Sequence, residues 1–111
     1  MVDNDADALE LVVLDLRLEG HEIVGTALDG ATALELVDAL APDVLVVDHR
    51  MPPGPWGLEV AEIVCRDHPD VEVVLYTNYR SADLEARCGS AGATLVPKGN
   101  LRTLRRAVAG A

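Results

Sequence analysis

The sequence predicts an α/β domain built on a parallel sheet covered on both faces by helices. Apolar runs of strand length alternate with segments whose apolar residues recur at helical spacing. The strand-like runs, such as "DVLVV" and "VEVVLYT", are nearly continuous in Val and Leu, as suits strands buried on both sides. Turn residues separate them at short intervals. No repeat, low-complexity tract or linker interrupts the 111 residues, a length suited to one core and a single domain, 1–111.

Each element follows from a local pattern. Only Met1 and Val2 precede the polar cluster "DND", so the first strand of such a sheet is expected to be truncated unless residues upstream continue it. From Asp7 to Glu19, Leu9, Val12, Val13 and Leu16 keep helical spacing, and Gly20 supplies a stop. "EIVGTA" predicts a short strand. Asp29 caps a helix whose buried face is Ala33, Leu34, Val37 and Leu40, ended by Pro42. The strand "DVLVV" comes next, then the Pro- and Gly-rich loop "MPPGPWG". Leu58, Ala61, Val64 and Cys65 mark a further helix, closed by "DHPD". After the strand "VEVVLYT", "SADLEARCGSAG" is a helix capped by Ser81, "TLVP" a brief strand, and "NLRTLRRAV" a last helix capped by Asn100.

Composition narrows the function. The formal net charge of -10 argues against nucleic acid as a direct partner, because phosphate contacts need a positive surface. Arg102, Arg105 and Arg106 read as solvated cations towards the favourable end of the last helix. Cys65 and Cys88 lack metal-ligand spacing and suit reduced thiols. With no apolar run near the ~18 residues of a membrane span and no targeting segment, a cytoplasmic location is the expectation.

In an open parallel sheet, ligands bind beyond the carboxyl ends of the strands, where strand order reverses. At those ends this chain places Asp3, Asn4 and Asp5, then Asp48, Thr77 and Lys98. Clustered carboxylates need neutralising, and a hard cation such as Mg2+ takes oxygen ligands while keeping several waters. Asp48 is suited to act as a nucleophile that becomes an acyl phosphate. Lys98 offers a point charge and Thr77 a hydroxyl to phosphoryl oxygens.

These residues lie in the motifs "VDND", "PDVLVVDHRMP", "VVLYT" and "AGATLVPK", and together they resemble the receiver domain of two-component response regulators across essentially the whole chain. The resemblance implies a flavodoxin-like, doubly wound five-stranded sheet of order 2-1-3-4-5. It implies that Asp48 accepts a phosphoryl group from a histidine kinase or phosphotransfer protein. Asp3, Asn4, Asp48 and the backbone carbonyl of Arg50 would hold Mg2+, with Thr77 and Lys98 contacting the phosphoryl group. Arg50 and Tyr79 would tune the lifetime of the phosphorylated state. An output domain or downstream protein, and possible homodimerisation, belong to the same expectation.

The chain departs from the family pattern in four places. Asn4 stands where a second acid is usual, which removes a charge from the metal site, and Asp5 is an imperfect substitute in register. His49 follows the phosphoacceptor, either as a metal ligand or in a loop-packing role. Leu95 occupies the position three before Lys98 where many receivers carry a swinging aromatic ring. The loop "PPGPWG" is about one residue longer than usual, with Trp56 a partner contact or a loop cover. Two other functions compete. A binding-only module of the same fold is compatible with Asn4. A Mg2+-dependent phosphohydrolase would want a second Asp where Arg50 stands, and a guanidinium cannot serve as its acid and base. The domain is therefore expected to be a phosphoacceptor rather than an enzyme.

Overall fold

The computed structural model describes residues 1–52, 54–79 and 81–109. Pro53, in the loop expected to be long, lies outside them. Among the described residues five helices surround a parallel sheet: α1 (Ala6–Leu18), α2 (Gly30–Leu40), α3 (Gly57–Asp67), α4 (Ala82–Ala91) and α5 (Leu101–Ala109). The strands are β1 (Val44–Val47), β2 (Glu72–Thr77) and β3 (Thr94–Pro97), hydrogen-bonded in the order β1-β2-β3. Val46 lies beside Val74, and Leu75 beside Leu95.

Three of the caps, Asp29, Ser81 and Asn100, are those read from the sequence, and Asp5 is a fourth. Asp5 accepts from the amides of Asp7 and Ala8, Asp29 from Thr32, Ser81 from Leu84 and Asn100 from Thr103. Each side-chain oxygen satisfies an amide that has no partner within its own helix. Asp5 is thereby committed to opening α1.

The expected five strands are not all formed among the described residues. Val2 pairs in parallel with Ala27 on one side and Val47 on the other, but each pairing is a single bridge. A ladder can be no longer than its shorter strand. Only Met1 and Val2 run beside residues 22–27, so "EIVGTA" has almost no backbone to pair with. A cavity of about 660 Å3 opens below Val2, between Ile23, Val24 and Gly25 on one wall and Val44 and Val46 on the other.

The pleat divides the core into two layers. Leu45, Val47, Val73 and Leu75 face α2, α3 and α4, through Ala33, Val37, Ala61, Val64, Leu84 and Cys88. Val46, Val74, Tyr76 and Val96 face α1 and α5, through Val12, Leu16, Leu104 and Val108. Successive strand residues point to opposite faces, so a continuous apolar run supplies both layers. Full burial of each such Val or Leu contributes about 1.5–3 kcal/mol. Cys88 is buried and Cys65 half-buried, both free thiols, and burial pushes both above the ordinary thiol pKa. Among the described residues no helix is long and apolar enough to cross a membrane.

Arg105 does more than the solvated role expected of it. Its guanidinium grips both carboxylate oxygens of Asp15, with Nε at 3.0 Å from Oδ2, and so ties α5 to α1. This hydrogen bond holds the Asp15 pKa below its ordinary value, against a smaller opposing effect of burial. Because the folded-state pKa is depressed, the stabilisation is present above the unfolded value of ~3.9. It is lost as pH falls through the folded value. Asp15→Asn is expected to lower Tm by at most ~4 °C at pH 7, because Arg105 is partly exposed. The gap from wild type should close as thermal melts are taken below pH ~3.9, and a gap independent of pH would contradict the ion pair.

Candidate functional site

The strands deliver their last residues to one crevice. The chain enters the sheet at Val2, between Ala27 and β1, and the later strands then step away to one side. Strand order therefore reverses between Val2 and Val47, and the residues just after them, Asp3 and Asp48, stand at the switch point. Both carboxylates are shielded, Asp3 at 1% exposure and Asp48 at 6%. Two such charges are tolerated only if they are paired.

The partner is Lys98. Its Nζ lies 2.8 Å from Asp3 Oδ2 and 3.2 Å from Asp48 Oδ2. Burial pulls the Lys98 pKa down, but the two carboxylates outweigh it, and the net shift is upward. Asp3 Oδ1 accepts the Asp5 amide, and Asp48 Oδ1 accepts the His49 amide at 2.8 Å. Asp3 Oδ2 has no hydrogen-bond partner, so its contact with the ammonium is an ion pair without a directed hydrogen bond.

Thr77, the last residue of β2, is buried. Its Oγ1 accepts the Tyr79 amide at 3.1 Å, and its carbonyl accepts the Lys98 amide at 3.0 Å. That second bond locks the lysine loop to the end of β2. Tyr76 adds another tie, its hydroxyl accepting the Gly99 amide. A cavity of about 440 Å3 opens above this floor, bordered by Asn4, Asp48, Arg50, Thr77, Asn78, Tyr79 and Lys98. The structure thus joins Asp3, Asp48 and Lys98 by ion pairs and brings Asn4, Arg50 and Thr77 to the same cavity as Asp48 and Lys98. Asp5, the considered substitute, is exposed and caps α1.

The donor set suits a hard cation. It holds two carboxylates, one of them with a shielded oxygen lacking a hydrogen bond, beside the amide side chain of Asn4 on the same cavity. Mg2+ characteristically uses one or two carboxylates and retains waters. Among the described residues no group of three or more His, Cys, Asp or Glu side chains gathers as a metal cage.

His49 proves to be a packing and loop residue. It is buried, its carbonyl accepts the Gly57 amide at 2.8 Å, and its Nδ1 accepts the Leu58 amide at 3.3 Å. An Nδ1 that accepts is unprotonated and not available to a metal. Burial lowers the His49 pKa by more than the neighbouring Asp48 charge raises it, which suits a neutral ring. Two features were not read from the sequence. Gly57, the first residue of α3, lies so close to the Asp48 backbone that a Cβ would sit 2.1 Å from the Asp48 carbonyl oxygen. A glycine opening a helix just after the acidic strand end was the available signal. The Tyr76 hydroxyl had no such signal, because its sequence context marks only a buried strand.

The fold and this site define a signalling domain organised around a strand-end aspartate. The family model described as the response regulator receiver domain matches residues 1–108, and the chain belongs to that family. It is similar to the response regulator GacA of Pseudomonas aeruginosa, 38% identical over 76 residues, covering 68% of this chain and 35% of GacA. It is also similar to the transcriptional regulatory protein PdtaR of Mycobacterium tuberculosis, 37% identical over 78 residues, covering 70% of this chain and 37% of PdtaR. The match thus spans about a third of the length of these curated relatives. Among solved structures, the signal receiver domain of the response regulator NarL from M. tuberculosis superposes with a TM-score of 0.89 at 35% identity, covering 98% of this chain and 90% of that one. A BeF3-activated DrrB receiver domain superposes with a TM-score of 0.83 at 28% identity, covering 98% and 91%.

Proposed function

We propose that this domain is a phosphorylation-dependent switch whose phosphoacceptor is Asp48. The observation that carries the reading is the arrangement of one ammonium, Lys98, against two shielded carboxylates at the strand-order switch point, with the Thr77 hydroxyl in the same crevice. A carboxylate oxygen of Asp48 attacks the phosphorus of a phosphohistidine on a histidine kinase or phosphotransfer protein. The new O–P bond forms as the P–N bond breaks, and the leaving imidazole recovers a proton from solvent. Lys98 and the Thr77 hydroxyl would hold phosphoryl oxygens, so catalysis would consist of positioning and charge compensation.

Asp3, Asn4, Asp48 and the Arg50 carbonyl would hold Mg2+. When bound, the ion would offset the negative charge of the incoming phosphoryl group. The domain assists its own phosphorylation and hydrolysis and is otherwise not an enzyme. We read Val2 and Ala27 as the first and second strand positions of a 2-1-3-4-5 order. In the cytoplasm, an output domain or a separate protein would receive the signal, with homodimerisation as one route.

Acetyl phosphate with Mg2+ is expected to add one phosphoryl group to the full chain by intact mass. Asp48→Ala is expected to abolish the gain, and omission of Mg2+ to suppress it. The reduced charge at Asn4 favours a second reading, a binding module that has lost phosphorylation. A wild-type chain with no mass gain would establish that module and overturn the switch.

A further inference from the structure

Three rings from two loops meet beside Asp48, His49 and Trp56 from the connection between β1 and α3 and Tyr79 from the one after β2. The His49 imidazole stacks on the Tyr79 ring, with centroids 5.5 Å apart and planes at 28°. Trp56 meets the same imidazole edge-on, at 5.4 Å and 87°. Each ring is anchored differently. His49 is bound through its own amide to the Asp48 carboxylate and through its carbonyl and Nδ1 to the first turn of α3. Tyr79 is anchored to the other loop, because its amide donates to Thr77 Oγ1. The Tyr79 ring is 45% exposed and borders the cavity above Asp48. The stack therefore joins the Asp48 loop to the Thr77 loop at the point where both face the cavity.

We propose that the His49–Tyr79 stack is a latch that reports the state of Asp48, with Tyr79 as its positioning residue. The proposal rests on the phosphoacceptor reading. A phosphoryl group on Asp48 replaces the single carboxylate charge with about two and adds strong acceptor oxygens. These oxygens draw the Thr77 hydroxyl, and the Tyr79 amide bonded to that oxygen moves with it. His49 stays fixed to α3, so the two rings part. An aromatic pair biases an equilibrium by roughly two- to tenfold, enough to hold the resting state but weak enough for a new dianion to overcome. Position 95 supplies no alternative ring signal, because Leu95 is aliphatic and packs against the core layer formed with α2, α3 and α4. The surface that changes on phosphorylation is then the face bearing Tyr79 and Trp56, between the Thr77 loop and the start of α3.

Trp56 is the single tryptophan, so its fluorescence reads the ring cluster directly. The full chain is treated with acetyl phosphate and Mg2+, with intact mass and tryptophan emission followed in parallel. Wild type is expected to change emission as it gains mass and to revert on dephosphorylation. Unphosphorylated Tyr79→Ala should already show the emission of the phosphorylated wild type and should lose at least half of the further change, whereas Tyr79→Phe should behave as wild type. Mass gain with unchanged emission, or a full response in Tyr79→Ala, overturns the latch and leaves the phosphoacceptor standing. Absence of any mass gain in wild type overturns the phosphoacceptor reading, and the latch with it.

Discussion

Substituting Ala for Gly57 is expected to damage both stability and phosphoryl acceptance, although Gly57 carries no functional group. The added Cβ would stand 2.1 Å from the Asp48 carbonyl oxygen and 2.7 Å from both the Asp48 carbonyl carbon and the His49 Cα. All three are backbone atoms, so no side-chain rotation relieves the contact. The start of α3 must withdraw from the loop after β1. With it goes the hydrogen bond from the Gly57 amide to the His49 carbonyl. Overpacking of this kind costs about 3 kcal/mol, a fall in Tm of roughly 10–15 °C. The displaced backbone is that of Asp48, the proposed phosphoacceptor, and misplacement near 1 Å reduces reaction rates by about 100-fold. Gly89→Ala is the control. Its Cβ meets nothing within 4 Å on α4, so the change should stabilise by about 0.5–1 kcal/mol. Thermal melts and the rate of mass gain check both variants, and a Gly57→Ala protein with wild-type Tm and rate would refute the close approach.

Replacing Lys98 with Met has the second large effect. The ammonium is the cation shared by Asp3 and Asp48, and removing it leaves two shielded carboxylates facing one crevice without compensation. Breaking a buried charge pairing from one side costs about 3 kcal/mol or more. Excess Mg2+ should restore part of the lost Tm, because an ion that binds only the folded state stabilises it by mass action. It should restore far less of the phosphorylation rate, since Lys98 is also proposed to hold a phosphoryl oxygen. The pH dependence has a definite sign. The folded-state pKa of Lys98 is raised, so its stabilisation is complete below the ordinary lysine value of ~10.4. It disappears only as pH rises through the higher folded value. The gap between wild type and Lys98→Met should therefore hold through neutral pH and narrow only in strong alkali. Equal stability at pH 7 would mean that the carboxylates have another partner.

The alternation of strands and helices was legible because each element carries its own periodicity. Leu9, Val12, Val13 and Leu16 mark a helix without reference to any other segment, and all four are buried on α1. The four caps, Asp5 excepted, were legible for the same reason, since a cap serves amides two or three residues away. Asp3, Asp48, Thr77 and Lys98 could be placed in the site because a parallel sheet brings the residues after its strands to one end. That inference required only the strand boundaries. The short pairing of residues 22–27 was less legible, because "EIVGTA" has strand character while its pairing depends on a neighbour of suitable length.

What the chain order left open concerns residues far apart. Lys98 pairs with Asp48 across 50 positions and Arg105 grips Asp15 across 90. Which cation meets which anion depends on strand register and on the rotation of α5 over the sheet, and neither leaves a mark in local periodicity. The same holds for the imidazole of His49, which could have turned outward to a metal but is held inward by the Leu58 amide and two rings. Hydrophobic spacing specifies which face of an element is buried. Side-chain pairing is settled at distances of a few ångströms, and only the assembled layers set those distances.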